Sequence, residues 1–181
     1  MTQKKILIVM GSDSDFPVME GCFRILREFE IAFDARICSA HRSPDAAKAL
    51  VSSARKDGYG AIIAAAGLAA HLPGVLASFT TLPVIGVPCK GGALAGVDAL
   101  YSIVQMPTGI PVATVAIDGG TNAGILAAEI FSVFDERIAA RLSDYKKELE
   151  ASVAAKDIRL QEKIDDLSER PEKGGRKDKR V

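Results

Sequence analysis

Five short apolar runs, each followed by a stretch of helical length, constrain this chain more than any other feature. Strands are expected at Lys5–Met10, Ala32–Cys38, Ala61–Ala66, Pro83–Val87 and Val112–Ile117. Helices are expected at Phe16–Glu30, Pro44–Asp57, Leu72–Thr80, Ala93–Val104 and in a long segment from Thr121. Strands joined by helix-length crossovers pair in parallel, and a parallel sheet needs both faces covered. Right-handed crossovers then lead to an α/β fold: a three-layer α/β/α sandwich on a flavodoxin-like five-stranded parallel sheet. Ser43-Pro44-Asp45 suits a helix start, since proline at the first helical position gives up no needed N–H. Gly58 suits the turn out of that helix.

With 181 residues, 48% of them hydrophobic, the chain can bury one sizeable core. We expect a single catalytic domain over residues 1–150, a C-terminal helical extension over 151–168 and a disordered charged tail over 169–181. The extension carries Leu142, Tyr145, Leu149, Val153, Leu160, Ile164 and Leu167 at three- and four-residue steps, a stripe along one helical face. Such a stripe exceeds what a small sheet can cover, so part of it is expected to pack on another subunit. Lys+Arg and Asp+Glu balance at 23 each, which argues against nucleic acid or an anionic membrane as partner. There is no apolar run long enough to span a bilayer and no secretory signal pattern. Three irregularly spaced cysteines (Cys22, Cys38, Cys89) form neither a disulfide framework nor a metal knuckle, as expected of a cytoplasmic protein.

In an open parallel sheet, ligands bind beyond the carboxyl ends of the strands, where the strand order reverses. Three loops should meet there: Gly11–Asp15 ("GSDSD"), Ser39–Pro44 ("SAHRSP") and Gly67–Gly74 ("GLAAHLPG"). They bring both histidines of the chain to one rim. Gly11, Ser12 and Ser14 resemble an anion site at a helix start, suited to phosphate. Asp15 would repel phosphate and fits sugar hydroxyls better; the alternative is that Ser14 or Asp15 only caps the helix. Arg42 offers a planar fork to phosphate oxygens, against a plain surface ion pair. An imidazole ordinarily titrates near ~6.5, so His41 can carry a proton at neutral pH. His71 is the second catalytic candidate, and it can alternatively cap the helix that begins there. The candidate binding residues are thus Gly11, Ser12, Ser14, Asp15, Ser39, Arg42 and Gly67, with small residues in "AAAGLAAH" letting a planar ligand approach the backbone. Two histidines without nearby carboxylate or thiolate partners make a poor metal site, and no serine sits in a nucleophile elbow. From the residues alone, this is an enzyme acting on a phosphorylated sugar compound without metal or cofactor.

The blocks "VMGSDSD", "SAHRSPD", "AAHLPG", "PVIGVP" and "GVDALYSIVQMPTGIPV", in order from about Ile6 to Phe134, closely resemble the N5-carboxyaminoimidazole ribonucleotide mutase family of purine biosynthesis. The resemblance implies an octamer with sites shared between subunits, and a reaction needing no metal, ATP or organic cofactor. The substrate's carboxylate leaves the exocyclic nitrogen as carbon dioxide, which stays trapped and adds to ring carbon four. His41 matches the family's proton carrier, and Ser12, Asp15 and Arg42 fall on its nucleotide-binding positions. "CKGGALAG" after the fourth strand matches a loop that helps close the site. Two departures stand out: Leu68 occupies a position where the family commonly has glycine, and "AIDGGTNAG" is shorter than the usual turn.

The nearest rival is the sister class that carboxylates aminoimidazole ribonucleotide directly with carbon dioxide. It usually lacks "AAHLPG" in the third loop, so His71-Leu72-Pro73-Gly74 favours the mutase. The carboxylase-like domain of a nickel-pincer cofactor synthase carries an additional N-terminal region, which is not seen here ahead of the first strand. A receiver-type module would need a phosphorylatable aspartate after the third strand, where this chain has alanine and glycine.

Overall fold

Ile6-Leu7-Ile8-Val9 contains no polar side chain, so it is stable only where both of its faces are covered. In the computed structural model, which describes residues 4–169, it forms β1 (Lys5–Met10), and these four side chains are fully buried. The other strands are β2 (Phe33–Ile37), β3 (Tyr59–Gly67), β4 (Val84–Cys89) and β5 (Ala113–Thr114). All pair in parallel in the order β2-β1-β3-β4-β5, the expected flavodoxin-like sheet. The order reverses between β1 and β3, so their carboxyl ends define the ligand crevice.

The helices are α1 (Phe16–Glu28), α2 (Pro44–Ser52), α3 (Leu72–Ser78), α4 (Val97–Val104), α5 (Gly120–Ser132) and α6 (Glu136–Glu169). Side chains alternate across a strand, and Leu7, Val9, Ile62 and Ala64 share one core with Val51 of α2, Leu76 of α3 and Ile103 of α4. α1 and α5 pack against each other, with α5 also against β3 and β4. Glycine permits their close approach: a Cβ at Gly120 would fall on the Val18 carbonyl oxygen, and one at Gly124 on Ile25.

Some elements differ from the sequence reading, each for a local reason. α4 begins at Val97 rather than Ala93 because Gly92, Ala95 and Gly96 all take positive φ (58°, 51° and 91°), which a right-handed helix cannot contain. β5 covers two residues of the expected six; beyond it the chain still bonds to β4 through Val115 N–H to Gly86 O and Asp118 N–H to Pro88 O, then turns, with Gly119 N–H donating to Ala116 O at 2.9 Å. The long helix expected from Thr121 is two helices. A turn closed by Phe134 N–H on Phe131 O ends α5, and the Asp135 carboxylate caps α6 by accepting the Arg137 N–H at 3.0 Å.

The chain divides into two units, the first ending at Leu142 and the second beginning at Ser143. The first contains the whole sheet, with Ile138 and Leu142 of α6 in its core. In the second, Leu149, Val153, Leu160, Ile164 and Leu167 of the expected stripe are between 47% and 69% exposed. The charged tail expected over 169–181 lies, from residue 170 on, outside the described residues.

Candidate active site

At the carboxyl ends of β1–β4 a cavity of about 630 Å³ is lined by every residue singled out from the sequence: Gly11, Ser12, Ser14, Asp15, Ser39, His41, Arg42, Gly67 and His71. After β1, a single 3-10 turn (Asp13–Asp15) shapes the loop. The Ser12 Oγ accepts the Ser14 N–H at 3.3 Å, while the Asp15 carboxylate accepts the Ser12 N–H at 3.0 Å, a reciprocal capping box. The Ser14 hydroxyl donates to Ser12 Oγ at 2.9 Å, and the Ser12 hydroxyl donates to Asp13 Oδ1 at 3.0 Å.

Asp15 is the one buried charged side chain among the described residues. It makes no side-chain cap bond to α1, and its capping is confined to the Ser12 N–H of the turn before that helix. Burial pushes its carboxyl above the usual carboxylate range, against the opposing pull of the Ser12 and Gly11 N–H groups and the Cys89 thiol. Cys89 ends β4, and burial together with the charges of Asp15 and Asp118 pushes its thiol up to about 12. At neutral pH Cys89 is therefore a neutral donor rather than a nucleophile.

The loop after β2 is tied to itself through two serines. The Ser43 hydroxyl accepts the Ser39 N–H at 3.1 Å and donates to Ser39 O at 3.0 Å, while Ser39 Oγ accepts the Arg42 N–H at 3.2 Å. These bonds hold His41 and Arg42 on a fixed backbone, with the Ser39 O–H still available to donate. The Arg42 side chain is exposed, and its guanidinium has no hydrogen bond or ion pair among the described residues.

His41 Nε2 lies 2.9 Å from His71 Nδ1, with the rings 5.0 Å apart and inclined at 76°. That contact joins the loops after β2 and β3, thirty residues apart in sequence. His71 precedes α3 without capping it through its side chain, which leaves the ring for His41. One of the two nitrogens donates and the other accepts, and the tautomers of the two rings set which does which.

Gly67 sits close to β4: a Cβ there would stand 3.3 Å from Cys89 O, a tight contact that would ask the strand end to give slightly. Leu68 takes φ 55°, a left-handed conformation that suits the glycine usual in the resembling family. It is 55% exposed and lies against Gly91 and Gly92 of the next loop. The shortened segment is also at the site: Asp118 Oδ1 accepts the Lys90 N–H at 2.8 Å, fixing the start of the loop after β4. Cys89 and Lys90 line the cavity and were not singled out from the sequence. Their signal was positional, at the end of a fully buried strand and before a Gly-Gly pair, on the same rim as the histidines.

A family model for AIR carboxylase matches residues 5–152 of the chain. The N5-carboxyaminoimidazole ribonucleotide mutase of Pyrococcus horikoshii is 52% identical over 155 residues, covering 86% of this chain and 88% of that protein. The mutase of the same name from Thermotoga maritima is 51% identical over 158 residues, covering 87% and 92%. Among solved structures, that of Treponema denticola PurE superposes with a TM-score of 0.80 at 31% identity, covering 87% of this chain and 99% of that one. Sheet order, loop positions and these matches agree, and the chain belongs to the AIR carboxylase family.

Proposed function

We propose that the protein is an isomerase of purine biosynthesis that converts N5-carboxyaminoimidazole ribonucleotide to 4-carboxyaminoimidazole ribonucleotide. The reading is carried by the paired imidazoles, 2.9 Å apart beside a serine-rich helix start, in a chain half identical to enzymes named for this reaction.

The chemistry fixes what the site must do. The bond from the exocyclic nitrogen to the carboxyl carbon breaks, its electron pair stays on nitrogen, and nitrogen takes up one proton. Ring carbon four then attacks the trapped carbon dioxide and afterwards loses its own proton. One proton goes in and one comes out, so a single carrier returns to its starting state after each turnover. His41 fills that role, with His71 setting its tautomer and sharing the proton. Protonation of nitrogen favours the bond-breaking step, and confinement of carbon dioxide against the ring carbon supplies much of the rate of the second. Gly67, at the tight approach to Cys89, leaves the floor of the cavity open to a flat ring.

Binding roles divide by charge. Arg42, with its unpaired guanidinium, faces the phosphate, aided by Ser12, Ser14 and Ser39 and by the N–H groups at the turn after Gly11. Asp15 accepts from the ribose hydroxyls. Among the described residues no group of three or more His, Cys, Asp and Glu is placed to hold a metal ion, and none of these steps asks for one. The exposed stripe on α6 supports assembly into an octamer. No helix among the described residues is long and apolar enough to cross a membrane, and the three free, buried cysteines suit the cytoplasm.

Purified protein given N5-carboxyaminoimidazole ribonucleotide should form the 4-carboxy isomer at a rate unchanged by EDTA. Aminoimidazole ribonucleotide with bicarbonate at low concentration should give little product. A chain that uses the second substrate at least as efficiently, or that needs a divalent ion, is not this isomerase.

A further inference from the structure

We infer that Lys90 is the residue that holds the migrating carboxylate, in substrate and product alike. The inference rests on the isomerase reading and on a charge count at the site. The nucleotide brings two anionic groups, a phosphate at one end and a carboxylate at the ring. Among the described residues, Arg42 and Lys90 are the only lysine or arginine side chains lining the cavity. Neither cationic group has a hydrogen bond or ion pair among the described residues, so both are available to a ligand.

Topology keeps the two cations apart. Arg42 follows β2 and Lys90 follows β4, and β1 and β3 lie between those strands. Three strand spacings place their backbones roughly 14 Å apart across the rim. Two long cationic side chains at that separation fit a ligand charged at both ends better than a single phosphate. Arg42 stands with Ser39 and the serine-rich turn, the anion site already described. Lys90 stands on the β3–β4 side with Gly67, Leu68 and Cys89.

The position of Lys90 is fixed rather than incidental. Its N–H is held by Asp118 Oδ1 at 2.8 Å, and the residue before it, Cys89, is 3% exposed at the end of β4. The Gly91–Gly92 pair that follows lets the chain turn at once, with Gly92 at φ 58°. The backbone at 90 is thus anchored while its ammonium remains free to follow the carboxylate from nitrogen to carbon. Substrate and product both carry that charge, whereas the carbon dioxide between them is neutral, so the contact holds the two bound end states and not the state between them. Its loss should raise KM without lowering kcat.

The test compares Lys90→Met with wild type in binding two nucleotides, the 4-carboxy product and aminoimidazole ribonucleotide, which lacks the carboxylate. Loss of a charge-assisted contact should weaken the carboxylated nucleotide about tenfold or more and leave the other within about twofold. Lys90→Arg should recover most of the difference, and KM for the carboxylated substrate should follow the same pattern. Equal weakening of both nucleotides would place Lys90 at the phosphate or in a structural role, and no weakening would leave it a surface lysine; either overturns the assignment alone. Wild-type protein that binds neither nucleotide overturns the isomerase reading together with it.

Discussion

Asp15 shows how a single residue can serve the site at a cost to the fold. Its carboxyl is buried, and burial raises its pKa above the usual carboxylate range. In the unfolded chain an aspartate loses its proton near ~3.9. Between that pH and the higher folded value, the native protein holds a proton that the unfolded chain has released. Stability therefore falls as pH rises through this window, and above it the fold carries a desolvated charge. Asp15→Asn removes the charge and keeps an acceptor for the Ser12 N–H. We expect it to raise the midpoint of thermal unfolding at neutral pH, with the gain shrinking as pH falls through that window and gone below about 3.9, while nucleotide binding weakens. Unfolding scans at neutral and acid pH check this, and an unchanged or lowered midpoint at neutral pH would show that burial of the charge is not costly. The residue types at the site were legible because few polar side chains interrupt the strand ends. The His41–His71 contact was not, since spacing in sequence says nothing about a 2.9 Å approach across loops.

Elements were legible where hydrophobic period and punctuation agree. β1 was read to its ends because a polar loop with glycine bounds an unbroken apolar run. α1 ends two residues short of the reading, as Glu30 takes φ 55° at its exit. The turn over Val133–Asp135 was hidden by an apolar "IFSVF" that continues the helical pattern across it; only the capping aspartate marked the break. α6 carries the element-scale prediction. From Leu149 on, its stripe is 47% to 69% exposed, and burying one such side chain contributes ~1.5–3 kcal/mol. A chain cut after Asp144 retains the sheet and the core to Leu142, so it should fold with native secondary structure. It should sediment as a smaller assembly than the full-length chain. Sedimentation velocity decides, and an assembly of unchanged size from the shortened chain would show that α6 takes no part in an interface.

Across the whole molecule, function follows from strand order. Four loops reach one rim because β2, β1, β3 and β4 are neighbours, with His41 and Arg42 on the loop after β2, His71 after β3 and Lys90 after β4. That convergence was legible once the alternation of strands and helices had set the sheet. The loop after β4 was legible only through the family resemblance of "CKGGALAG"; a role for Lys90 was not, because it depends on its separation from Arg42 across the sheet. The central claim is that His41 carries the proton and does not merely help to bind. His41→Asn keeps a similar shape and hydrogen-bonding capacity but has no titrating nitrogen near neutral pH. Arg42→Ala removes the phosphate fork and should weaken product binding by ~1.5–3 kcal/mol. The direct measurement is turnover of His41→Asn set beside calorimetric titration with the product nucleotide. A fall in kcat on the order of 10² or more with affinity kept is the predicted result. Turnover near the wild-type rate, or loss of nucleotide binding, would contradict the assignment of His41 as the proton carrier.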